Sequence, residues 1–126
     1  MTDFHGAADL SQLAVIRTAT TTTGTEQVTV LHLHGEIDLY TAPRLRQALT
    51  TATARGVPRL VVDLAGVSFT DSSGINALLA AYRATRSRSG WLRLAGLRPA
   101  VERAVRFSGL DVVFDCYPTL EQALTA

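Results

Sequence analysis

The chain contains no lysine and one cysteine, and each shortage closes off a class of function. All 12 basic residues are arginines, set against 11 acidic ones for a net charge of +1. With no basic run or excess, nucleic acid is not an expected partner. Without lysine there is no Gly-x-x-x-x-Gly-Lys phosphate loop. A single thiol, Cys116, excludes an internal disulfide and any metal site built from several cysteines. No apolar run approaches the roughly 18 residues of a bilayer-spanning helix, so no membrane association is expected. The opening MTDFHGAADLSQL lacks a basic stretch followed by an apolar core, so no export signal is expected there. Together with the free thiol, that suggests the cytoplasm. What remains is 126 residues, 47% hydrophobic and 18% charged, the profile of one soluble domain.

Periodicity orders the elements. Residues 1–12 are aperiodic and read as a flexible tail, with the domain running over 13–126. The short apolar stretch 13–16 and the β-branched stretch 28–34 flank a Thr/Gly-rich segment, which predicts an antiparallel hairpin with the threonines as its loop. Thr41-Ala42-Pro43 opens a helix, with Thr41 as N-cap and Pro43 in the first turn. RLVVDL (59–64) is an apolar strand of the kind buried on both faces. A second helix follows from about Ser72, with Ile75, Leu78, Leu79 and Tyr82 on one face. A strand at 91–94, a helix from Pro99 to the Gly109 stop, a short edge strand at 112–114 and a helix from Thr119 complete the chain. In the last helix, Thr119 and Gln122 have capping-box spacing. Strands separated by single helices run parallel. The expected fold is therefore α/β, a mixed sheet of about five strands with an N-terminal antiparallel hairpin and four helices. Leu31, Leu33, Leu60, Val62, Ile75, Leu78, Leu79, Leu94 and Val105 are the expected core.

Ligands and partners of such sheets are met at the carboxyl ends of the strands. Two segments there are polar: GEIDLYT (35–41) and SFTDSSG (68–74). By itself Asp71-Ser72-Ser73-Gly74 is an ordinary helix cap. A helix N-terminus also tolerates a phosphate, so a serine in it can serve both as cap and as switch. A nucleophilic serine would sit in Gly-x-Ser-x-Gly, but Thr70 stands two residues before Ser72, and no histidine lies on these loops. A small hydrolase or phosphotransfer enzyme is thus a poor fit. His32 and His34 alternate on a strand, yet two imidazoles without a third ligand make a weak metal site, and none is expected. Arg83, Arg86 and Arg88 crowd the end of the second helix, where positive charge complements the helix dipole.

Taken in order, GEIDLYTAPRLRQAL, RLVVDLAGVSFTDSSGINALLAAYR and WLRLAGLRPAVERAVRFSGLDVVFDCYPTLEQAL resemble the STAS domain, and within it the bacterial anti-sigma factor antagonists. The resemblance implies a (βα) superhelix and a binding protein rather than an enzyme. It implies phosphorylation of Ser72, with Ser73 as the alternative acceptor, by an anti-sigma factor that is a GHKL-type serine kinase. A PP2C-type phosphatase would reset the switch. The unphosphorylated form would capture the anti-sigma factor and free the sigma factor. Asp38, Tyr40, Thr41, Asp71, Ser72, Ser73, Gly74 and Asn76 are the expected partner-binding residues. Of these, Asp38, Thr41, Ser72, Ser73, Gly74 and Asn76 are expected in one exposed patch, with Gly74 letting the partner's backbone approach. Asn76 departs from the small residue many members carry, which bears on partner identity. A monomer without cofactor is expected. The alternative is a STAS scaffold or subunit of a stressosome-like, lipid-transport or anion-transport complex.

Overall fold

The threonine run is strand, not loop. In the computed structural model, which describes residues 15–126, β1 (Val15–Thr23) takes in most of that run and leaves Gly24 and Thr25 as the turn. β-Branched threonines favour the extended backbone. Gly24 supplies the positive φ, +65°, that the tight turn demands. The tail expected over 1–12 lies outside the described residues.

β2 (Glu26–Ile37) pairs antiparallel with β1, from Val15 opposite His34 to Thr23 opposite Glu26. After α1 (Ala42–Ala52), β3 (Arg59–Thr70) runs parallel to β2. Both strands outrun the expected lengths. Gly35, Glu36 and Ile37 pair with Val67, Phe69 and Thr70, so half of each presumed loop is ladder. Register shifts after His32 and Gly35 keep that pairing going. Next come α2 (Ser72–Ser87), β4 (Trp91–Ala95), α3 (Pro99–Phe107), a 3₁₀ turn (Leu110–Val112), β5 (Asp115–Tyr117) and α4 (Leu120–Thr125). The sheet order is β1-β2-β3-β4-β5. The edge strand expected at 112–114 is displaced. Phe114 leaves the 3₁₀ turn for the core, where it meets the Tyr82 ring edge-on at 6.0 Å, and pairing begins only at Asp115.

The two faces of the sheet are covered unequally. Leu31, Leu33, Leu60, Val62, Leu64, Leu92 and Leu94 face a layer made by α1, α2 and α3, which contribute Leu45, Leu49, Ile75, Leu78, Val101 and Val105. The opposite face carries Val28, Val30, Val61 and Ala95, covered by Ala123 of α4. The Arg93 guanidinium stacks 3.7 Å over Trp91 and donates to the Ala123 carbonyl at 2.9 Å, which ties α4 down. Thr119 caps α4 as expected, accepting from Gln122 N at 3.1 Å. Of the expected core, Leu79 alone is only half-buried, on the flank of α2 that faces a surface groove.

Candidate functional site

Both polar segments do end at one edge of the sheet. Asp71 N donates to Ile37 O at 3.1 Å, so the turn after β3 is bonded to the end of β2. Asp38 and Ser72 each follow one of those two bonded residues and emerge on the same side of the domain.

Asp38 organises the first turn. Its Oδ1 accepts from Tyr40 N at 2.9 Å and Thr41 N at 3.0 Å, and its carbonyl accepts from Ala42 N at 2.8 Å. Thr41 was expected as an N-cap in the exposed patch, but it is 2% exposed and makes no side-chain cap bond. Its hydroxyl instead accepts from Asp38 N at 2.8 Å and donates to Glu36 O at 3.1 Å, clamping the turn shut. Replacing Thr41 with Val keeps the shape and orphans both backbone groups. We expect a loss of about 1–3 kcal/mol in urea unfolding. Thr41→Ser should restore most of it; a Val variant as stable as wild type would show that the clamp carries nothing.

The second turn divides its two serines. Asp71 caps α2: its Oδ1 accepts from Ser73 N at 2.9 Å and also from the Ser73 hydroxyl. Ser73 is half-buried and its hydroxyl is committed. Ser72, the first residue of α2, is exposed, and its hydroxyl has no partner among the described residues. No acidic residue follows Asp71 within the first helical turn, so the capping carboxylate is the one negative charge at this helix end. Asn76 is exposed one turn further on. Gly74 is buried, contrary to expectation, and faces inward: a Cβ there would stand 2.2 Å from Thr70 Oγ1 and 2.6 Å from Ile37 Cγ2. It lets α2 sit close on the ends of β2 and β3 and offers nothing to a partner.

A protein-family model described as the STAS domain matches residues 19–123. The chain belongs to the STAS-domain family. The anti-sigma-F factor antagonist RsfB of Mycobacterium tuberculosis is 36% identical over 98 residues, 78% of this chain and 80% of that one. Among solved structures, an anti-sigma factor antagonist from Mycobacterium paratuberculosis superposes with a TM-score of 0.74 at 38% identity, covering 88% of this chain and 92% of its own. SpoIIAA in its unphosphorylated form superposes at 0.70 with 28% identity over 86% and 93%, and the Bacillus protein's phosphorylated form has also been solved, at 0.67 and 26% over 87% and 96%.

This STAS domain also exposes apolar residues on and beside the two turns, of which Tyr40 alone was among the expected partner-binding residues. Leu39 and Tyr40 are 69% and 79% exposed in the β2–α1 turn, and Phe69 is well exposed beside Thr70. A groove of about 470 Å³ runs from Ser72 between α2 and α3, past Ile75, Leu79 and Ala104 to Phe107, which is 92% exposed. Their signal was available: an apolar residue inside a polar turn has no partner within a turn, so its exposure can be read before the fold is known. Cys116 carries a free thiol. Although the residue reaches the surface, burial of its sulfur and then Asp115, Glu102 and Asp111 push the thiol up to about 11, so it stays protonated. No helix of the described residues is long and apolar enough to cross a membrane.

Proposed function

We propose that this chain is an anti-sigma factor antagonist whose unphosphorylated form binds an anti-sigma factor and so releases a sigma factor. Phosphorylation of Ser72 switches that binding off. The observation that carries the reading is the division of labour between adjacent hydroxyls: Ser72 is exposed and unpartnered at the N-terminus of α2, while Ser73 is held by the capping carboxylate. The relatives named as antagonists support it, and so does SpoIIAA, a similar fold solved both with and without phosphate. Exposed Leu39, Tyr40 and Phe69 on the adjoining turns supply apolar area for a protein partner.

In this reading the partner is a GHKL-type serine kinase that both phosphorylates and is captured by this chain, and a PP2C-type phosphatase regenerates the binding form. The chain itself is a cytoplasmic, monomeric binding protein with no catalytic step of its own. Incubation with that kinase and ATP should place one phosphate on the wild type, at Ser72. Ser72→Ala should take up none and still bind the kinase. Full labelling of the Ala variant would move the acceptor to Ser73 or a threonine and sink the assignment.

A further inference from the structure

α4 covers only part of the sheet's second face. Towards the carboxyl ends of β2 and β3 that face holds a depression of about 360 Å³, lined by Arg17, His32, Leu33, His34, Asp63 and Gly66. Arg17 lies opposite His32 in the β1–β2 ladder, and His32 lies opposite Asp63 in the β2–β3 ladder. The three therefore form a row across three strands, with His34 two residues further along β2. We propose that this depression is an oxyanion site, taking a small phosphate-type group between Arg17, His32 and His34.

The lone carboxylate in the cluster is already committed. Asp63 Oδ2 lies 2.8 Å from His32 Nδ1, and its Oδ1 accepts from Ala65 N at 3.1 Å. That bond holds the imidazole in one orientation and leaves Nε2 on the side of the ring away from Asp63. The side chains of Arg17 and His34, by contrast, have no hydrogen bond or ion pair among the described residues. Gly66 provides the room: a Cβ there would stand 2.7 Å from His34 Nδ1. Unspent donors thus face one small space whose only acid is occupied. With Nδ1 donating to Asp63, His32 presents a second N–H at Nε2 in its protonated form, so a guanidinium fork and imidazole N–H groups match an oxyanion. A metal cation is disfavoured, because no group of three His, Cys, Asp or Glu gathers among the described residues and a guanidinium stands alongside. The volume is near the lower end of the roughly 300–1,000 Å³ of small-molecule sites, which suits a small anion better than a nucleotide. The site lies on the face opposite α1, α2 and α3, so it stands independently of any role for Ser72.

The test is a titration of the full chain with inorganic phosphate at pH 6.0 and constant ionic strength, following the histidine-ring and arginine Nε resonances by NMR. Phenyl phosphate in a parallel arm separates a phosphate monoester from the free ion. Saturable shifts at Arg17, His32 and His34 with one apparent Kd are expected in at least one arm. Arg17→Ala and His34→Gln, each checked by circular dichroism, should weaken binding about tenfold. Shifts that do not saturate, shifts that survive in Arg17→Ala, or a response confined to the amides around Ser72 would each overturn the proposal. So would zinc chloride saturating the two histidines at lower concentration than either anion.

Discussion

Ser72→Asp is expected to weaken binding to the anti-sigma partner by about 100-fold or more, while the far-UV circular dichroism and Tm stay close to wild type. The two halves of that result have separate causes. Within the isolated domain, position 72 is the exposed first residue of α2, where the helix dipole favours negative charge. Asp71 beside it opposes the charge, but its carboxylate is already hydrogen-bonded to the Ser73 N–H and hydroxyl. The internal cost is therefore small. In a complex the same group would be desolvated among Leu39, Tyr40 and Phe69, against a surface shaped for a neutral hydroxyl. Burying an unmatched charge there costs at least a few kcal/mol, and about 1.4 kcal/mol is already tenfold in affinity.

Phosphoserine carries about −1.5 to −2 charges at pH 7, so the purified phosphoprotein should bind more weakly still. If Ser72→Asp binds like wild type and the phosphoprotein does not, the carboxylate is an inadequate mimic. If both bind like wild type, the switch is absent. A fall in Tm that matches the loss of affinity would point to damage at the cap instead.

The two turns were legible as neighbours at one sheet edge because parallel strands end there together, and Asp71 as a cap because its spacing to Ser73 is local. What escaped depended on distant partners. Thr20 to Thr23 look like loop when only their hydroxyls are weighed; pairing with residues 26–29 makes them strand. Glu36 and Ile37 look like turn until Phe69 and Thr70 are seen beside them. Thr41 has the residue type of a cap and the position of one. Only the geometry reveals that Asp38 bonds the first turn while Thr41 bonds the backbone behind it. Phe114 reads as the last residue of an apolar triplet, whereas the Tyr82 ring across the core decides its direction. Local chemistry is visible in a sequence; the company a residue keeps is not.

Gly74 is where that difference has its largest structural consequence. Ala at the third residue of α2 should gain about 1 kcal/mol of helix propensity over Gly, so stabilisation is the naive expectation. The packing reverses it. The new Cβ would meet Thr70 Oγ1 at 2.2 Å and Ile37 Cγ2 at 2.6 Å. Thr70 could yield only by giving up its 3.1 Å bond to the Asp71 carbonyl, and Ile37 is fully buried with a branched side chain. Overpacking of this kind costs about 1–3 kcal/mol, so Gly74→Ala should be destabilised by up to about 2 kcal/mol net, despite its propensity. Gly74→Val adds two more methyl groups and should lose about 3 kcal/mol, lowering Tm by roughly 10 °C. Gly56→Asn is the control: φ is +62°, nothing lies within 4 Å of an added Cβ, and Asn tolerates the left-handed region, so the loss should stay under about 1 kcal/mol. The same displacement would lift the N-terminus of α2 from the ends of β2 and β3. Kinase labelling at Ser72 should therefore fall in Gly74→Ala even well below its Tm, because Ser72 loses its place beside the β2–α1 turn. A Gly74→Ala protein as stable as wild type, labelled at the wild-type rate, would show that the close approach of helix and sheet is not what the glycine is for.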